Sequence, residues 1–334
     1  MTKEHIINSR TPIDVARLLS TRYGYTLDPL NYVRGVAMSG RIRLYQLTGE
    51  DDPAPSIEQA VEPFISNDRV DFQDMDGAVR SGYIWANELS DVTGNTTYNR
   101  LLEQLAAPYM HTQSTGVPVG VDPDYRVEDI FFVGAMLGRA YAVSHDERQS
   151  EALTAFLKHV EPQPDTGLWW HCHSSPFYWG RGNAFAALGF AEALSYLPDG
   201  NSAYEELTHK HREHLKALIK YQDQSGAWRQ VINRPDSYLE ITTTAILGYV
   251  LMRGINGGWL SHDFESVAMQ AWQAVDERID STAMLRDACP NTGPLPALED
   301  YLNRTPISGH DDRAGSMSMW FAVEYAIYLD TKNN

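Results

Sequence analysis

The sequence predicts an all-α fold, an (α/α)6 barrel in which six helical hairpins close into a toroid. Three observations carry this expectation. Apolar residues recur at helical spacing through most of the 334-residue chain, and strand-like alternation is scarce. Long helical segments end in turn signals near positions 48, 93, 144, 198, 253 and 330. Intervals of about 45–55 residues, with a longer last one, fit one hairpin per unit. These long segments are rich in Gly, Ala and Ser, as packing around a crowded axis demands, whereas the segments between them are shorter and more polar. A solenoid is the alternative arrangement, but no unit resembles a standard repeat motif.

Each element follows from local signals. Pro12–Leu19 forms a short amphipathic helix. Tyr32–Leu47 is the first inner helix, stopped at Thr48-Gly49, and Pro53–Phe64 returns. Asp76–Val92 is the second, stopped at Thr93-Gly94-Asn95, and Thr97–Leu105 returns. Val127–Val143 is the third, closing at Ser144-His145-Asp146, and Glu151–His159 returns. Ala184–Leu197 is the fourth, with Asn183 as its N-cap and Pro198 and Gly200 as its stop; Tyr204–Gln222 returns. Thr242–Met252 ends at Arg253-Gly254, and Ser266–Asp276 returns. Ser316–Leu329 is the last long helix. Trp228–Ile232 reads as a short strand pair or a loop. Residues 1–334 together form one domain.

The loops leading into the inner helices, 68–76, 111–127, 161–183, 223–242 and 287–315, gather at one mouth of such a toroid. They are long, irregular and rich in Asp, His, Trp, Gly and Pro. Long loops in a compact domain usually carry function, and a concave ligand site is expected where they meet.

Composition narrows the partners. A formal net charge of −17 argues against nucleic acid, which needs basic stripes, and against anionic membranes. No apolar run has the length of a membrane span or of a signal peptide. Two cysteines, Cys172 and Cys289, make no disulfide framework and no metal spacing. The expectation is a cytoplasmic protein. A phosphate-cradling glycine loop and a nucleophile elbow are both missing. The His171-x-His173 pair lacks a placed third ligand, so no metal is expected.

The candidate chemistry starts in the stretch from Gly167 to Asp199. An aromatic and histidine loop there runs into a helix through Trp179-Gly180-Arg181-Gly182-Asn183. A helix N-terminus with a forked cation suits a carboxylate ligand. Carboxylates precede two other inner helices: Asp74 and Asp76 in Asp71–Asp76, and the adjacent pair Glu128 and Asp129. Taken singly, each is explained by the helix dipole. Two such clusters at one mouth, beside aromatic rings that raise a carboxyl pKa, point to acid catalysis. Glu128 shares a helical face with Phe131 and Gly134, toward the interior. Asp129 falls on the outer side with Val133, so only one of the two is expected to face the cavity. Glu128 is the preferred donor, with Asp129 and then Asp74 or Asp76 behind it.

The strings WH followed by WGRGN, and YQDQSGAWRQVINRPDSYLEITTTAILGYVLMRGINGGWL over residues 221–260, resemble the unsaturated uronyl hydrolases of glycoside hydrolase families 105 and 88. The resemblance implies an (α/α)6 toroid that needs no cofactor. It implies removal of an unsaturated uronic acid from the non-reducing end of lyase-generated oligosaccharides: an acid protonates C4 of the enol ether and water adds at C5. It places Glu128 where the family has a catalytic Asp. His171, Trp179 and Arg181 fall on substrate-contacting positions, Phe185 on a tryptophan position, and Tyr32 on a first-helix tyrosine. His173, Trp228 and Arg313 join them as further substrate-binding candidates in the mouth loops. Tyr238 and Glu240 are expected to brace their loop. A saturated-uronide hydrolase or sugar epimerase, or a non-catalytic carbohydrate-binding protein, are the competing readings on the same toroid.

Overall fold

The computed structural model describes residues 10–65, 72, 75–114, 116–198 and 200–333. Its helices, in chain order, are α1 (Pro12–Ser20), α2 (Tyr32–Thr48), α3 (Ala54–Val61), α4 (Gly77–Arg80), α5 (Ala86–Thr93), α6 (Thr97–Ala106), α7 (Glu128–Ser144), α8 (Glu147–His159), α9 (Gly180–Tyr196), α10 (Tyr204–Ile219), α11 (Ile241–Asn256), α12 (Glu265–Asp276), α13 (Leu298–Leu302) and α14 (Asp312–Asn333). Two antiparallel pairs complete it: β1 (Trp228–Arg229) with β2 (Leu239–Glu240), and β3 (Leu285–Ala288) with β4 (Ile307–Gly309).

The inner ring runs α2, α4–α5, α7, α9, α11, α14 and back to α2, each packed on the next. The outer helices α3, α6, α8, α10 and α12 lie against it, and α1 packs on α14 and α2. The sixth hairpin is therefore assembled from the two ends of the chain. The longer last interval holds β3, α13 and β4. Buried apolar residues from Val15 to Tyr328 join in one continuous core. Where α7 crosses α9 the backbones touch: a Cβ on Gly189 would collide with the Ile130 carbonyl.

One expected helix is broken. Asp76–Val92 divides into α4, a 3₁₀ turn at Ser81–Tyr83, and α5. The break lies where Gly82 meets Gly35 of α2 backbone to backbone. Beside it, the buried Arg80 guanidinium donates to the carbonyls of Met75, Phe72 and Leu105. These contacts override a helical pattern that is continuous in sequence.

Well inside the ring, each inner helix contributes one charge, alternating in sign: Arg43, Glu88, Arg139, Glu192, Arg253 and Glu324. Arg43 Nε and Arg139 Nη1 approach Glu88 Oε1 to 2.8 and 2.9 Å, Arg139 Nε lies 2.9 Å from Glu192, and Arg253 lies 3.5 Å from Glu324. Burial opposes ionisation of Glu88, but the guanidinium groups of Arg43 and Arg139 outweigh it and hold its pKa low. Among the described residues, no helix is long and apolar enough to cross a membrane.

Candidate active site

The N-terminal ends of four inner helices open on one cleft of about 340 Å³. Its walls include Tyr32 of α2, Asp76 and Gly77 at the start of α4, Glu128, Asp129 and Phe132 of α7, and Trp179, Arg181 and Phe185 at the start of α9. Asp122, Arg126 and residues 291–293 close the sides. The aromatic floor is tightly built. Phe185 stacks on Phe131 at 5.5 Å and 7°, and Tyr32 meets Phe185 edge-on at 5.4 Å.

Glu128 is 5% exposed. Its Oε1 takes two contacts, from Arg126 Nη2 at 3.0 Å and from His171 Nε2 at 3.3 Å. Its Oε2 is buried without a hydrogen-bond partner. Burial pushes its pKa up, but the His171 hydrogen bond and the Arg126 charge prevail and leave it below the ordinary value. Asp129 behaves oppositely. Burial raises its carboxyl to about 7, only partly offset by the 2.8 Å bond it accepts from the Asp122 amide. The neighbouring Glu128 charge adds to the rise.

His171 is fully enclosed and stacks on Trp179 at 4.3 Å. Its carbonyl accepts the Val127 amide at 3.0 Å, tying the loop to the start of α7. Its Nδ1 lies 2.5 Å from the Tyr301 hydroxyl. Arg181 is 2% exposed and lies over the Trp179 ring at 4.7 Å. It donates to the carbonyls of Cys289 (2.7 Å) and Pro290 (2.9 Å), and its buried Nε has no partner. Burial opposes its charge, but the surrounding polar groups, the Glu240 and Asp311 carboxylates among them, keep its pKa raised. Among the described residues no carboxylate pairs with it within 4.0 Å, so the cleft contains a buried cation without an ion-pair partner.

The structure corrects several sequence expectations. Both Glu128 and Asp129 line the cleft, because its wall wraps the first turn of α7. Phe132 lines the cleft and Phe131 lies fully buried beneath it. Asn183 is not an N-cap. α9 begins at Gly180, and the enclosed Asn183 side chain instead ties Trp169 N and O and the Trp179 carbonyl together. His173 is exposed and turned to a neighbouring pocket, stacked on Tyr125 at 4.8 Å. Trp228 is buried away from the cleft, its indole N–H given to the Leu218 carbonyl at 2.8 Å. Asp76 lines the cleft but caps α4, accepting Val79 N–H at 2.8 Å. Arg313 stands beside the site, 3.9 Å from Asp311, close enough for its charge to act on Tyr32. Asp74 lies outside the described residues.

The 223–242 loop supports rather than lines the site: Gly180 N–H donates to the Gln230 carbonyl at 2.7 Å. Glu240 braces as expected. It caps α11 through the Thr242 and Thr243 amides and also holds the Cys289 amide at 2.9 Å. Among the described residues, no cluster of three or more His, Cys, Asp or Glu is arranged to hold a metal ion. Sequence reasoning missed Arg126, Tyr301 and residues 291–293. Arg126 was findable as a basic residue two places before a mouth carboxylate. Tyr301 was not, since 130 residues separate it from its partner His171.

The ring of paired helices and its acid-and-cation cleft define an (α/α)6 toroid with a carboxylate-bearing mouth. The profile of Glycosyl Hydrolase Family 88 matches residues 20–329, and the chain belongs to that family. It is 28% identical over 185 residues to the unsaturated rhamnogalacturonyl hydrolase YesR of Bacillus subtilis (strain 168). That match covers 49% of this chain and 54% of the relative, so the two correspond over about half of the relative's length. Among solved structures, a family 105 glycoside hydrolase of C. acetobutylicum ATCC 824 superposes with a TM-score of 0.81 at 17% identity, covering 93% of this chain and 99% of that one. A possible family 105 member from Salmonella enterica superposes at 0.79 and 19% identity, over 97% and 96%. At such identities these structures speak for the toroid fold.

Proposed function

We propose that the chain is a single-domain hydrolase that removes an unsaturated uronic acid from the non-reducing end of short, lyase-generated oligosaccharides. One observation carries this reading. A buried cation without a carboxylate partner, Arg181, lines the same cleft as two adjacent carboxyl groups whose pKa values are pushed in opposite directions. A buried, unpaired guanidinium favours an anionic ligand, here the uronate carboxylate. Oppositely shifted carboxyls supply an acid and a base side by side.

In this mechanism Asp129, protonated up to about pH 7, donates its proton to C4 of the enol ether. Glu128, ionised and with Oε2 free, takes a proton from the water whose oxygen bonds to C5. The C4=C5 double bond is consumed, H and OH being added across it. The C5 hemiketal then opens and the aglycone departs. Tyr32, Trp179 and Phe185 present ring faces and edges to the sugar. The resemblance to the uronyl hydrolases and the activity of the Bacillus relative support this substrate class. The free buried cysteines Cys172 and Cys289 support a reducing compartment, the cytoplasm.

Incubation with unsaturated rhamnogalacturonan or glycosaminoglycan disaccharides tests the proposal. Loss of the ultraviolet absorbance of the conjugated enol ether is expected. Turnover of saturated uronides alone, or binding without turnover, overturns it in favour of another toroid enzyme or of a carbohydrate-binding protein.

A further inference from the structure

We propose that Tyr301 is a positioning residue that fixes His171 as the neutral tautomer protonated on Nε2, and through it orients Glu128. This rests on the reading of Glu128 as the base. Tyr301 and His171 are both fully enclosed. The Tyr301 oxygen accepts the Leu295 amide at 3.1 Å, which occupies one of its two lone pairs and keeps its O–H available to give. His171 Nδ1 lies within its reach, at 2.5 Å. On the other side of the ring, Nε2 faces Glu128 Oε1 at 3.3 Å. An ionised carboxylate there requires an N–H on Nε2, since a lone pair would repel it. A neutral imidazole meets both ends only as this tautomer, with Nε2–H toward the carboxylate and Nδ1 accepting the Tyr301 O–H.

The surroundings hold this arrangement in place. Trp179 stacks on the ring at 29° between planes and resists its rotation. Ser175 Oγ donates to the Leu295 carbonyl at 2.6 Å, tying to the His171 loop the same residue whose amide sets the Tyr301 hydroxyl. The chain of donors runs in one direction: Leu295 N–H to Tyr301, Tyr301 O–H to His171, His171 N–H to Glu128. Its consequence falls on Glu128. With Oε1 engaged by His171 and Arg126, the unpartnered Oε2 is the oxygen left to take a proton. The segment that carries Leu295 and Tyr301 also provides the two carbonyls that hold Arg181 and residues 291–293 of the cleft wall. One loop therefore sets both residues that the sequence singled out.

The test is nitrogen NMR of the full chain labelled at histidine, near neutral pH, with His171 assigned by its disappearance in His171→Gln. The expected spectrum shows His171 Nδ1 unprotonated and Nε2 protonated. Tyr301→Phe, which keeps the ring and removes the hydroxyl, should lose that pattern. On an unsaturated disaccharide its kcat should fall about tenfold with KM little changed, the loss expected of one hydrogen bond. A proton on Nδ1 in the native chain overturns the proposal, as does a Tyr301→Phe protein that keeps both the pattern and kcat. The native spectrum needs neither a substrate nor the Tyr301 variant. Inactivity toward unsaturated disaccharides would therefore sink the functional reading while leaving the tautomer to be decided by the spectrum.

Discussion

His171 Nε2 lies 3.3 Å from Glu128 Oε1, and the backbone carbonyl of the same histidine holds the amide of Val127, one residue earlier. A single loop residue thus grips the start of α7 by side chain and main chain together. It favours the ionised form of Glu128 at the spot where Asp129, the next residue, is driven by burial toward the neutral form. The acid–base difference between two adjacent carboxyls is a difference in surroundings, one bonded to a histidine and an arginine, the other to a single amide.

Arg181 should bind the anionic group of the substrate. A charge-assisted hydrogen bond is worth about 1.5–3 kcal/mol, so Arg181→Ala should lower kcat/KM roughly 10- to 150-fold. Steady-state kinetics on an unsaturated disaccharide, with folding checked by circular dichroism, gives the value. Unchanged kinetics in a folded variant would remove Arg181 from substrate recognition.

The raised pKa of Asp129 has a cost in stability. The fold favours its protonated form, so the stabilisation is complete below the ordinary carboxyl value of 3.8 and is lost as pH rises through about 7. Asp129→Asn cannot ionise and escapes that loss. Its melting temperature relative to the native chain should therefore increase between about pH 5 and pH 8. A constant difference across that range contradicts the assignment.

The ring of alternating charge predicts a purely structural phenotype. Arg139 is fully enclosed and donates to Glu88, Glu192, Asn87 and the Ile84 carbonyl. Arg139→Met leaves Glu192 and part of Glu88 buried and uncompensated, which should cost about 3–5 kcal/mol in denaturant unfolding. Kinetics at low temperature should be nearly native, because none of these groups lines the cleft. A loss of under 1 kcal/mol would mean the ring relaxes around the missing cation.

Most of the toroid was legible in the sequence. Turn signals at Gly49, Gly94 and His145 coincide with left-handed residues at helix ends, and periodicity marked the inner helices. Two features were hidden. The split of Asp76–Val92 depends on Gly82 meeting Gly35, a contact between distant segments. The partnership of α1 with α14 joins the chain ends, which no local pattern encodes. The site was legible in part: the WGRGN junction marked Trp179 and Arg181, and the acidic turn marked Glu128 and Asp129. The orientation of Asp129 was misjudged because the cavity was read as meeting one narrow face of α7. At its first turn the cleft wall wraps far enough round the helix to reach both Glu128 and Asp129. Tyr301 carries no signal, being set by a loop that returns from far along the chain.

The central claim is the division of labour between Glu128 and Asp129, and the pH dependence of kcat/KM in Glu128→Gln and Asp129→Asn tests it most directly. Each variant should lose about 10²–10⁴-fold in rate. In the native enzyme the alkaline limb should fall through about pH 7, where Asp129 gives up its proton, and the acid limb below the ordinary glutamate range, where Glu128 gains one. The residual activity of Asp129→Asn should lack the alkaline limb and that of Glu128→Gln the acid limb. A fully active Asp129→Asn beside a dead Glu128→Gln would contradict the account and assign both proton transfers to Glu128.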